Sequence, residues 1–265
     1  MLTIDQIASY FPGPLYKKNK QGALAEYLQY ELLDSIFKNR DSADLSFIGG
    51  TAIRLLHQSF RFSEDIDFDN FGLKFERFEF LIKAALRDME YKVFNIEYRI
   101  IKRGAFHCYI KFPELLYIMG ISNDRGRKIT IRIDSETKEK LYDPKDIIIN
   151  KFALFRRIMA APPEILLSQK MMTVLSRKRE KGRDLFDVSF LMGLTAPDFL
   201  YIERCIGLCE RDFLRLFTER IQELDLEFLA KDVEPFLFSA EQKERILHFR
   251  DYWKIQQKIY EKIIG

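Results

Sequence analysis

Asp65, Asp67 and Asp69 alternate with Ile66 and Phe68. Residues two apart in a strand project from the same face. The segment 64–69 therefore predicts carboxylates aimed together from a strand whose apolar side chains enter the core. Paired carboxylates on a rigid platform can hold Mg2+ or Mn2+ through hard oxygens, leaving the remaining coordination to water and phosphate. Two such ions about 4 Å apart would neutralise the charge that builds when a nucleophile attacks the α-phosphorus of an NTP. A third acid from a neighbouring strand would complete the set. Asp134 has the required parity in the run 128–134, where Ile129, Ile131 and Ile133 alternate with Thr130, Arg132 and Asp134. Asp69 lies at the end of the first strand and reads as solvated.

A triphosphate also needs positioning. Gly49-Gly50-Thr51 precedes a helical pattern, and glycines at a helix start let backbone N–H groups approach an anion closely. The Thr51 hydroxyl would be a further donor and a plausible N-cap. Arg61 and Ser63, just ahead of the carboxylates, could reach a β- or γ-phosphate. Taken singly these signals are weak: most Asp-x-Asp pairs are solvated strand faces, and Gly-Gly-Thr is equally common. Their order is what carries weight, a glycine turn, a helix, a double carboxylate and then an acid on a later strand.

The elements that must position these residues follow from periodicity. Residues 21–38 carry Leu24, Tyr27, Leu28, Leu32 and Ile36 at helical spacing. Residues 44–48 run into the two glycines, and 51–56 reads as a helix. A helix is expected over 75–89, with strands over 91–101, 105–112 and 128–134. From Lys145 onward no strand is expected, only helical patterns punctuated by Pro162-Pro163, Gly182, Gly193 and Pro197. The fold class is therefore α+β: residues 1–142 form a mixed or antiparallel sheet flanked by helices, and residues 143–265 an all-helical domain that completes the site.

With 265 residues, 47% hydrophobic and 31% charged, the chain has the composition of a globular protein. Its 24 Phe and 12 Tyr suit core packing, with base stacking as the alternative. A net charge of +3 says little, but basic residues gather at Arg99, Lys102 and Arg103, at Arg125, Arg127 and Lys128, and from Arg177 to Arg183. Each group could be a solvated face or a contact for a polyanion. Cys108, Cys205 and Cys209 read as reduced, buried thiols without a zinc site. There is no signal-peptide pattern and no stretch of about 20 apolar residues, so a soluble, cytoplasmic protein without membrane contact is expected.

The run Phe47-Ile48-Gly49-Gly50-Thr51-Ala52-Ile53-Arg54, followed by Arg61-Phe62-Ser63-Glu64-Asp65-Ile66-Asp67-Phe68, resembles the AbiEii/AbiGii nucleotidyltransferase toxins of the polymerase-β-like superfamily. A second block agrees: Lys170-Met171-Met172, Arg177, then Gly182-Arg183-Asp184-Leu185-Phe186-Asp187 is similar to that family's lysine followed by an Arg-Asp-aromatic-Asp helix. The likeness spans about residues 45–192; Gln169 departs from it, standing where relatives often carry an acid. The resemblance implies metal held by Asp65 and Asp67, Thr51 against phosphate, Ser63 beside the triphosphate, Lys170 paired with its charge, and Asp184 or Asp187 in support, with Arg183 near the nucleotide. The bland reading of Asp184 and Asp187 is a pair of acids at a helix start. Lys151 is a weaker phosphate candidate. The resemblance further implies an NTP substrate, an RNA acceptor such as the 3′ end of tRNA, and a cognate antitoxin. Transfer to a protein or small molecule remains open, as does a silent regulator that binds nucleotide or RNA without turnover.

Overall fold

The computed structural model describes residues 1–92 and 94–264, with side chains described through Tyr260 apart from residue 93. In chain order the elements are α1 (Ile4–Ala8), α2 (Gly13–Lys18), α3 (Lys20–Phe37), β1 (Leu45–Ile48), α4 (Gly49–His57), β2 (Ile66–Asn70), α5 (Phe75–Tyr91), β3 (Glu97–Arg103), β4 (Ala105–Phe112), α6 (Leu115–Ile118), β5 (Ile129–Thr137), β6 (Lys145–Lys151) and β7 (Leu154–Ala160). Helices alone follow: α7 (Pro163–Ser176), α8 (Gly182–Leu191), α9 (Phe199–Ile206), α10 (Glu210–Glu223), α11 (Leu226–Val233), α12 (Glu244–Leu247) and α13 (Phe249–Ile264), apart from short 3-10 turns.

The strands form one mixed sheet in the order β3-β4-β5-β2-β1-β7-β6. β2 lies in its interior, antiparallel to β1 and parallel to β5. The alternation expected around the aspartates holds, but the strand begins at Ile66, so Asp65 stands at its mouth. Asp69 corrects the sequence reading: paired with Ser46 on one side and Glu136 on the other, it is 1% exposed rather than solvated. On β4, Phe106, Cys108, Ile110 and Phe112 are buried, and α3 and α5 pack against this side of the sheet. Its large side chains, among them Tyr27, Phe47, Phe68, Phe78 and Phe112, are fully buried, so much of the aromatic excess is core.

α3 buries three acids, and each is paired, as burial of charge requires. Glu26 receives Arg54 and Lys151, both at 2.8 Å. Glu31 receives Lys92 at 2.7 Å, and Asp34 receives Lys92 at 3.0 Å and Arg156 at 2.8 Å. Burial pushes the Asp34 carboxyl up, but its hydrogen bonds from Arg156 and Lys92 outweigh this and hold it below the usual range. Lys151, a weaker phosphate candidate in the sequence, ends β6 and pairs with Glu26, lying also over the Phe11 and Phe152 rings at 4.3 and 4.9 Å.

The antiparallel hairpin β6–β7 lies where helix was expected. Its turn residues, Phe152 and Ala153, have φ of 56° and 60°, a region that disfavours side chains. Phe152 is 1% exposed, its ring against Tyr10, Phe11, Tyr27 and Tyr30. Packing of that ring compensates the backbone strain.

The chain divides into two compact units, and the division differs from the expected boundary after 142. One holds 1–56, 62–140 and 144–160, including the whole sheet; the other holds 57–61, 141–143 and 161–265. The second unit is helical and centred on α8, which is buried along nearly its whole length and packs against α7, α11 and α12. Gly182 makes the α8–α11 approach possible, since a Cβ there would collide with the Leu229 carbonyl. Its N–H donates to Asp232 at 2.9 Å. Around α10 and α13, Trp253 is fully buried against Phe217 at 4.8 Å between centroids, with its indole N–H on Thr218 at 2.9 Å. The cysteines differ from expectation: Cys108 is buried, with its thiol pushed up to about 12 by burial, whereas Cys205 and Cys209 are exposed. Among the described residues, no helix is long and apolar enough to cross a membrane.

Candidate active site

The sheet unit brings the expected acids together. Asp67 on β2 and Asp134 on β5 are register partners on adjacent strands, so both side chains stand on the same face about 5 Å apart along the hydrogen-bonding direction. Asp65 joins them through Arg132, whose guanidinium lies 3.2 Å from the Asp65 carboxylate and 2.9 Å from that of Asp134. His107 on β4 completes the group, its Nδ1 2.7 Å from Asp134 Oδ1. Burial raises the pKa of Asp65; Arg132 pulls it back, and the neighbouring Asp134 and Glu64 push it further up, leaving it above the ordinary carboxylate range.

The glycine turn sits against this group. Gly49 adopts a φ of +80°, and a Cβ at that position would run into the Asp67 carboxyl. Close approach of the turn to the carboxylate therefore requires glycine at this position. Gly50 and Thr51 follow as buried residues of α4. Thr51 lies inside α4 and is not its N-cap. It is fully buried and donates its hydroxyl to the Asp65 carbonyl. Ser63 is half-buried, and Gln29 of α3 donates to the carbonyls of Ser63 and Glu64 at 2.9 and 3.1 Å. Residues 63–65 are thus anchored by their backbone from α3 and α4, which fixes where the Asp65 side chain leaves the chain.

The second block of sequence signals converges inside the helical unit. Arg61 is 2% exposed and grips Asp187 with both arms of its guanidinium, at 2.7 and 2.5 Å. Lys170 lies 3.0 Å from both Asp184 and Asp187, and Arg177 lies 3.2 Å from Asp184. Burial opposes the charge of Lys170, yet Asp187 and Asp184 more than offset it and hold the lysine above its ordinary pKa. Burial likewise raises Asp184, but Lys170 and Arg177 outweigh it and the carboxyl lies low. The shared face expected for Lys170 and Arg177 is realised on Asp184. Asp187, however, is fully buried with both oxygens engaged, and Arg61 serves this pair instead of standing free for phosphate. Arg183 lies 4.6 Å over the Phe236 ring.

The sequence reading missed Arg132 and His107 as partners of the acids. Strand parity would have found both, because Arg132 alternates in step with Asp134, and His107 with Tyr109 and Lys111.

The donor set suits a divalent cation in kind: carboxylate oxygens crowd together at neighbouring positions, and a guanidinium already bridges two of them. A closed cluster is not preassembled, however. Among the described residues no three His, Cys, Asp or Glu side chains form a metal-holding group, and Asp134 is engaged by His107 and Arg132. Magnesium is commonly held by one or two carboxylates, with substrate phosphates completing its shell, and this arrangement fits that mode.

The fold is similar to that of JHP933 from Helicobacter pylori, with a TM-score of 0.59, 18% identity, and 91% of this chain and 94% of that one covered. A second Helicobacter pylori protein, assigned as a nucleotidyltransferase, gives a TM-score of 0.56 at 18% identity, covering 89% and 96%. At that identity these two likenesses establish the fold. Among curated proteins, none matches. The model of the nucleotidyl transferase AbiEii toxin family, type IV toxin–antitoxin system, matches residues 31–255, and this chain, a nucleotidyltransferase, belongs to that family.

Proposed function

We propose that the chain transfers a nucleoside monophosphate from an NTP to the 3′ end of an RNA, tRNA being the leading candidate, and that Asp65 and Asp67, with Asp134 beside them, hold the divalent cations this requires. The observation that carries the reading is the placement of Asp67 and Asp134 in register beside the Gly49 turn, with Asp65 at the strand mouth. A 3′-hydroxyl oxygen bonds to the α-phosphorus, the bond from that phosphorus to the β-bridging oxygen breaks, pyrophosphate leaves and the hydroxyl proton is lost. Bound Mg2+ would supply charge neutralisation on the triphosphate.

The chain's own groups have distinct tasks in this reading. Backbone N–H groups at Gly49 and Gly50, where α4 begins, together with the Ser63 hydroxyl, meet the phosphates. Thr51 positions Asp65 through its carbonyl. Arg61, Lys170, Asp184 and Asp187 form one buried ion-pair network within the helical unit. Arg183 lies in the same helical unit. A cognate antitoxin is the expected protein partner.

Incubation with α-labelled NTPs, Mg2+ and total cellular RNA tests the proposal. Label should enter RNA, be released by 3′-exonuclease, and be absent without divalent metal. Label in protein or in a small molecule, or none in any acceptor, would overturn the RNA reading.

A further inference from the structure

The sheet has one face packed under α3 and α5 and another that carries Asp67 and Asp134. On the second face, β3 presents Glu97, Arg99, Ile101 and Arg103; β4 presents Ala105, His107, Tyr109 and Lys111; β5 presents Thr130, Arg132 and Asp134. All of these are exposed or half-buried, so among the described residues no element of the sheet unit packs over this surface. Arg99, Tyr109 and Arg132 are direct register partners across three strands. This row ends 3.2 Å from the Asp65 carboxylate, at Arg132. Arg99, Arg103 and Lys111 are exposed, and no ion pair of theirs occurs among the described residues, whereas the one acid at this edge, Glu97, is paired with Lys128 at 2.8 Å. The outer two strands therefore present uncompensated positive charge and an aromatic ring, leading inward to the carboxylates.

We propose that this open face is the acceptor platform, seating a single-stranded RNA end with Tyr109 stacked on a base and Arg99, Arg103 and Lys111 paired with backbone phosphates. The inference rests on the RNA reading above and adds its location. Strands lie about 4.8 Å apart, so Arg99 stands about 10 Å from Arg132, a span that a short single-stranded end can follow to Asp65. Charge complementarity selects a polyanion. The accessible ring favours unpaired bases, which stack on aromatic side chains, over the sugar–phosphate surface of a duplex.

Binding of a fluorescein-labelled, mixed-sequence single-stranded RNA to the full chain, measured by anisotropy across salt concentrations, tests the platform. Loss of three phosphate contacts in Arg99→Gln/Arg103→Gln/Lys111→Gln should flatten the dependence of log Kd on log[salt] by about 2, at about 0.7 per contact for single strands, and weaken binding at least about tenfold. Tyr109→Leu should raise the KM for RNA at least about fivefold while leaving NTP affinity within twofold of wild type. The three basic positions are exposed, so the variant should melt with the wild type. Variants that bind RNA with wild-type affinity and salt slope would overturn the platform even if the wild type labels RNA. A wild type that binds RNA through this face yet labels none would uphold the platform and refute the acceptor reading.

Discussion

Replacing Asp187 with Leu isolates the energetics of the buried network. Asp187 is fully buried and compensates two cations, Arg61 at 2.7 and 2.5 Å and Lys170 at 3.0 Å. Lys170 keeps Asp184 at 3.0 Å, so its loss is partial, whereas Arg61, at 2% exposure, loses a bidentate charged contact. Removing one partner of a buried pair costs about 3–5 kcal/mol; loss of this buried bidentate pair places Asp187→Leu at about 4 kcal/mol on that scale. For a chain of this size each kcal/mol lowers Tm by about 2–4 °C, so a fall of about 8–16 °C is expected in calorimetry, with a matching drop in urea midpoint. The double variant Arg61→Met/Asp187→Leu removes the buried cation as well and should recover at least half of the loss, a coupling typical of directly contacting groups. A fall under about 3 °C, or a double variant no more stable than the single, would refute the reasoning.

Three further outcomes follow from individual sites. Gly49→Ala must place a Cβ at φ +80° against the Asp67 carboxyl; it should cost about 1–3 kcal/mol in strain and lower kcat far more than NTP affinity, and unchanged kcat would contradict the close approach. Gly182→Ala should destabilise by at least about 2 kcal/mol, because its Cβ meets the Leu229 carbonyl and not a flexible side chain; a melt equal to wild type would show that α8 and α11 do not pack this closely. Asp34, Asp88 and Asp184 all lie below the ordinary carboxylate pKa, burial being outweighed by hydrogen bonds and cations at each. Depressed acids stabilise the fold above their unfolded pKa, about 3.9, and that contribution drains away as pH falls through their folded values. The urea midpoint should thus hold steady down to about pH 5 and decline below about pH 4; a midpoint that rises on acidification would contradict the assignment.

The parts of the fold legible in the sequence were those written as local period. Alternation around Asp67 and along 128–134 located β2 and β5 and gave the parity of Asp67 and Asp134, while their register emerged only with the sheet. The hairpin β6–β7 escaped because three successive isoleucines, Ile147 to Ile149, show no alternation, and its turn is Phe152-Ala153 in place of the Asn-Gly or Gly-containing pairs that usually mark such turns. Only the aromatic pocket around Phe152 explains that turn, and the pocket is assembled from residues far apart in sequence. The same holds for Arg61 and Asp187, 126 positions apart: the motif marked both as noteworthy, but burial decided that they face each other. Asp69 was misread because a strand end looks exposed until both neighbouring strands are known. The Thr51 hydroxyl was assigned to a ligand because the sequence gives no sign that the Asp65 carbonyl would take it.

The most direct test of the central claim is single-turnover nucleotidyl transfer by Asp65→Asn and Asp67→Asn under saturating NTP and Mg2+, beside the wild type. Both substitutions keep shape while removing charge, so thermal unfolding should remain close to wild type. Several kcal/mol of charge stabilisation at the transition state corresponds to a rate loss of about a thousandfold or more. Rates within tenfold of wild type for either variant would contradict the assignment of these two carboxylates to the chemistry.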